Sequence, residues 1–136
     1  MHLALARQAG RFVIAVVLLL SACAFDVIIL QKTPAQLTAL PDSGERWTLW
    51  MDMQATLPAG RVSGLRSLTV WQRVGTVEQG EVFRTKDQIV TVEASNIYQA
   101  DIVVSGGKLV GFYLPVDHMF TRCTMAAPLS LAKTAG

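Results

Sequence analysis

The pattern of apolar and polar positions changes twice along the chain. Phe12 to Leu20 is an unbroken apolar run, and from there to Leu30 the only formal charge is Asp26. From Arg46 the period becomes two. Trp47, Leu49, Met51, Met53 and Ala55 alternate with Thr48, Trp50, Asp52, Gln54 and Thr56, which predicts a half-buried strand ended by Pro58, Ala59 and Gly60. Leu68 and Val70 alternate with Thr69, Trp71 and Arg73 in a second predicted strand, its aliphatic side inward. Gly75 and Gly80 bracket an expected turn region. Val82 and Phe83 begin a short strand that breaks at the polar run Arg84 to Gln88 and resumes over Ile89 to Val92. That polar run is read as a solvated loop or bulge in preference to an anionic-ligand site.

The sharpest local signal is Ser105-Gly106-Gly107-Lys108 between two apolar stretches, the pattern of a hairpin with a two-residue I′ or II′ turn. A regular register then places Val104 opposite Leu109, Ile102 opposite Gly111 and Ala100 opposite Tyr113. One face carries Tyr98, Ala100, Ile102, Val104, Leu109 and Tyr113. The other pairs Val103 with Val110, Asp101 with Phe112 and Gln99 with Leu114, so it too is largely apolar. A sheet with two apolar faces needs a second layer, and Gly111 marks a bend or a close approach by another segment. The expected fold is all-β and mainly antiparallel, a small sandwich or half-open barrel of five to seven strands. Before it, Thr33, Pro34 and Gln36 match a helix start of the capping-box type, stopped by Pro41 within about two turns. Pro41, Asp42, Ser43 and Gly44 form a turn cluster taken as the edge of the folded domain.

The N-terminal run has its own chemistry. Arg7 and Arg11 precede the apolar residues, and Leu20, Ser21, Ala22 and Cys23 close them, the three-part pattern of an export signal. This part of the chain resembles bacterial lipoproteins, whose lipobox is an aliphatic residue and two small residues before a cysteine. The resemblance covers about the first 23 residues. It implies attachment of a diacylglycerol to the Cys23 sulfur, cleavage after Ala22, a third acyl chain and a cell-envelope location. Ala24 in place of an aspartate implies the outer membrane facing the periplasm, with the inner membrane as the alternative. The expected organisation is a signal peptide over 1–22, a lipidated helical tether over 23–44 and a β domain over 45–136. A single spanning helix through Phe12 to Leu30 is the competing reading, opposed by Asp26 near its core.

Charge and reactive groups narrow the function further. Loss of Arg7 and Arg11 with the signal leaves ten basic residues of the chain's 12 against ten acidic ones, which gives no support for nucleic-acid binding. A lipidated Cys23 leaves Cys123 without a disulfide partner, and His118, the one histidine of the mature chain, is a poor match for a catalytic pairing with it. No nucleophile elbow, zinc motif or phosphate loop occurs, and one histidine falls short of a zinc site, so no catalytic residue, metal or cofactor is expected. Asp52, Glu93, Asp101 and Asp117 are carboxylates with no spacing that favours paired acid and base roles. Trp50 and Trp71 fall on the nominally polar sides of their strands and mark a candidate partner surface. The expectation is therefore a non-catalytic, membrane-anchored lipoprotein that binds protein partners of a cell-envelope assembly. A β-barrel module that carries a lipid or small molecule is the second reading, and a single-span inner-membrane protein the third.

Overall fold

The computed structural model describes residues 29–134. The signal and lipobox pattern, with Leu20, Ser21, Ala22 and Cys23, lies outside the described residues. The strands, in chain order, are β1 (Thr33–Pro34), β2 (Thr38–Ala39), β3 (Arg46–Leu49), β4 (Arg61–Val62), β5 (Thr69–Val77) and β6 (Gly80–Thr85). They continue with β7 (Thr91–Glu93), β8 (Ile97–Gln99), β9 (Asp101–Ser105), β10 (Lys108–Leu114), β11 (Met119–Pro128) and β12 (Leu131–Thr134). The pairing is antiparallel throughout. One sheet runs β1-β11-β10-β9-β6-β5-β3-β12 with β2 beside β5, and a second runs β4-β7-β8. The described part is all-β, as expected. It holds more strands than the expected five to seven, because pairings of two or three residues leave no readable period.

The β9–β10 hairpin organises the rest. Gly106 and Gly107 both take positive φ, 58° and 75°, as a type I′ turn requires. Leu109 faces Val104 as predicted, but Val110 is then an extra residue, so Gly111 faces Val103, Phe112 faces Ile102 and Tyr113 faces Asp101. The register written from the sequence therefore holds only at the tip. The cause lies at Gly111, where a Cβ would run into the Thr121 carbonyl oxygen and the Phe120 ring on β11. Glycine permits that close approach, and the strand is irregular there against both its neighbours.

The bulge assigns Leu109 and Phe112 to one face and Tyr113 to the other. On the first face they join Leu49, Trp71, Phe83, Ile102 and Leu114, and the second sheet contributes Val62 and Val92 to the same core. On the second face Val77, Val82, Val103, Tyr113 and Phe120 form a separate cluster, against which Ala35 and Leu37 pack. Both faces of the hairpin are thus covered.

That second cover is the segment expected to be helical, and it is extended. Thr33 and Pro34 pair with Phe120 and Met119, the Ala35 amide donates to the His118 carbonyl at 3.0 Å, and the Leu40 amide donates to the Val74 carbonyl at 3.0 Å. A two-turn helix satisfies few of its own backbone groups against the cost of nucleation, whereas sheet partners satisfy them at once. Leu30, 7% exposed, also belongs to the first core. The turn at Pro41 to Gly44 forms, with the Gly44 amide donating to Asp42 Oδ1 at 2.9 Å, yet the chain before it is already part of the sheet.

Three strand boundaries also differ from expectation. The strand from Arg46 stops at Leu49, because the Trp50 amide turns to the Ser130 carbonyl at 2.9 Å. β5 passes through Gly75, and the turn falls at Glu78 and Gln79. Thr91 to Glu93 belongs to the second sheet instead of continuing the strand of Val82 and Phe83. No helix among the described residues is long and apolar enough to cross a membrane.

The Gly111→Ala substitution should lower stability by about 1–3 kcal/mol, since the added methyl overpacks a backbone contact. Urea unfolding measures this, and an unchanged midpoint would mean that β11 can move away freely.

Candidate functional site

The register of β3 against β5 separates the tryptophans. Trp47 faces Trp71, Leu49 faces Thr69, and Thr48 faces Val70. Trp71 is 1% exposed and part of the first core, so it cannot belong to a partner surface. Its indole nitrogen donates to the Thr69 hydroxyl at 2.9 Å, and that hydroxyl donates to the Arg66 carbonyl at 2.7 Å. The inward row is therefore Thr69 and Trp71, with Leu68 and Val70 outward, the reverse of the sequence expectation. An indole buries roughly 150–250 Å² and outweighs two smaller aliphatic chains once its N–H has a partner. Trp50 does face solvent, at 53% exposure.

Trp50 is one of four apolar side chains at this corner of the sheet. Met51 follows it, and Leu68 and Val70 are also exposed. The Leu68 amide donates to the Leu49 carbonyl at 2.6 Å, which sets Leu68 beside the Trp50 backbone. Leu68 has φ of 63°, a left-handed conformation that an aliphatic residue adopts at a cost of about 1–3 kcal/mol unless its surroundings impose it.

The surroundings do impose it. The Ser67 amide donates to Asp52 Oδ1 at 2.7 Å, and the Arg66 amide donates to Gln88 Oε1 at 2.8 Å. Gln88 returns a bond from Nε2 to the Gly64 carbonyl at 2.9 Å, and the Arg66 guanidinium donates to the Asp87 carbonyl at 2.7 Å. The Val70 amide donates to Asp87 Oδ2 and the Thr85 hydroxyl to the Val70 carbonyl, each at 2.7 Å. On the other strand the Met51 amide donates to Ser130 Oγ at 3.0 Å. Asp52 is held below the usual carboxylate range by the bonds it accepts from Ser67. The polar run after Arg84 therefore supplies a bracket for the corner.

Arg84, Asp101 and His118 have structural partners, and Cys123 is buried. Arg84 makes a two-pronged contact with buried Asp101, Nε to Oδ1 at 3.0 Å and Nη2 to Oδ2 at 2.8 Å. His118 Nδ1 lies 3.2 Å from the Tyr113 hydroxyl. Cys123 sits in the first core, where burial pushes its thiol up to about 11. Among the described residues no three His, Cys, Asp or Glu side chains converge as metal ligands. No family model, curated protein or solved structure matches the chain. The site is thus described from its own residues: an exposed apolar corner on a backbone already held by hydrogen bonds.

Of the candidate surface pair the structure keeps Trp50 and removes Trp71, and it adds Met51, Leu68 and Val70. Sequence reasoning missed Leu68 because a positive φ at leucine leaves no mark in composition or period. The signal that was present lay in Asp52, Asp87 and Gln88, polar residues spaced to bond a nearby backbone.

Two predictions test this geometry. Leu68→Gly relieves the left-handed strain and adds unfolded-state freedom, a net gain of about 1 kcal/mol in thermal unfolding; destabilisation would show that the leucine side chain is a packing element. The lowered Asp52 carboxyl contributes stability that is whole above about pH 4 and is lost as pH falls through its folded value. Wild type should therefore exceed Asp52→Asn in stability at neutral pH, and the two curves should converge on acidification.

Proposed function

We propose that this protein is an acylated lipoprotein of the bacterial cell envelope, facing the periplasm, whose β domain binds a protein partner without catalysis. The observation that carries the binding reading is the corner of Trp50, Met51, Leu68 and Val70, apolar, exposed and held by a polar bracket. Tryptophan and methionine are enriched at protein interfaces, and an exposed indole on a fixed backbone suits the anchor of an interaction hot spot. The lipobox-like residues Leu20, Ser21, Ala22 and Cys23 support the anchor, and Ala24 supports export to the outer membrane. The filled first core favours this reading over a barrel that carries a ligand inside, because Leu49, Val92, Ile102, Leu109 and Phe112 occupy the interior at 0% exposure. The partner belongs to an envelope assembly, met by a domain held at the membrane.

Two measurements test the two halves separately. The intact mass of protein from solubilised membranes should begin at Cys23 and carry acyl mass that a Cys23→Ser variant lacks; a chain that still contains residue 1 overturns the anchor. A photoreactive residue at position 68 in whole cells should give a discrete protein adduct, which Trp50→Ala reduces about tenfold. Unchanged adduct yield with Trp50→Ala overturns the corner as the contact, and a normal urea midpoint for the variant excludes unfolding as the cause.

A further inference from the structure

The burial of Leu30 has a mechanical consequence if Cys23 is acylated, the reading on which this inference rests. Leu30 is fixed in the first core, and it follows Cys23 by only seven residue steps. Fully extended, that stretch reaches about 25 Å. A domain of this size has a radius of gyration of about 13 Å, hence a diameter of roughly 35 Å. The tether is shorter than the body it holds, so the domain cannot turn its N-terminal side away from the bilayer.

The surface on that side suits a membrane interface. Lys32, two residues after Leu30, lines a groove of about 680 Å³ with Ile97, Tyr98, Val116 and Asp117. Ile97 is 71% exposed and Val116 82%, and Ile29, where the described chain begins, is 74% exposed. The Lys32 ammonium lies 4.9 Å from the centre of the Tyr98 ring and donates to its hydroxyl at 3.2 Å. Lys32 also lines a neighbouring groove of about 600 Å³ with Arg122. Aliphatic tips beside tyrosine and cations match the layered polarity of the headgroup region, where basic residues are drawn to an anionic leaflet. Asp117 is the one carboxylate lining these two grooves.

The geometry points to this face, with Ile97 and Val116 as its apolar tips and Lys32 and Arg122 as its cations, resting on an anionic phospholipid surface. In the strand order of the larger sheet β10, β9 and β6 stand between β11 and the corner on β5 and β3, so position 68 serves as the comparison site.

The test uses the full mature protein in vesicles of phosphatidylethanolamine with a minority of phosphatidylglycerol. A photoreactive residue is placed in turn at positions 97, 116 and 68, and lipid adducts are counted by mass spectrometry. Adducts at 97 and 116 should exceed those at 68 by about fivefold, and Lys32→Glu with Arg122→Glu should cut them by about threefold, since both cations act on an anionic surface. Equal yields at all three positions overturn the proposal, as do protein adducts at 97 and 116 in place of lipid ones. The intact mass of the same samples keeps the two readings apart. Acylated protein without lipid adducts at 97 and 116 overturns the resting face alone, whereas unacylated protein without adducts overturns the anchor as well.

Discussion

The constraint on which the structure depends is a central hairpin that is apolar on both faces. β9 and β10 put Ile102, Val104, Leu109 and Phe112 on one side and Val103 and Tyr113 on the other, all buried. Neither side is stable against water, so each requires a cover. The small second sheet helps to cover the first side, and the extended segment with Ala35 and Leu37 covers the second. The one-residue bulge before Gly111 decides which residue goes where, because a shift of one in the side-chain period of two exchanges the faces.

The same constraint explains why the segment around Leu30 to Leu40 is not a spacer. Its side chains are needed on the sheet, and its backbone groups find partners on β11 and β5. Covering the second face therefore draws this segment into the folded domain.

Much of the fold was legible where local chemistry dominates. The glycine pair fixed the hairpin turn and its first facing pair, the alternation from Trp47 to Leu49 gave a strand with the correct side inward, and Gly111 was marked as a point of close approach. Readings failed where a long-range contact set the outcome. The Phe120 ring and Thr121 carbonyl that crowd Gly111 come from another strand, and so shift a register that the hairpin alone would keep regular. Trp71 is buried because Thr69 takes up its N–H, and Leu68 and Val70 are turned out as a result. Half of the candidate surface was legible in Trp50. The rest depended on a backbone conformation at Leu68 that is imposed from Asp52, Asp87 and Gln88, residues distant in sequence.

That corner is strained, exposed and densely bonded at once. Rigid backbone under exposed apolar side chains is the claim on which the functional account stands, and amide hydrogen exchange of the unbound protein tests it most directly. The account predicts that the Ser67, Leu68 and Val70 amides exchange within about tenfold of the slow amides of β5, although Leu68 and Val70 side chains face water. Exchange of those three amides at the rate of an unstructured peptide would contradict it.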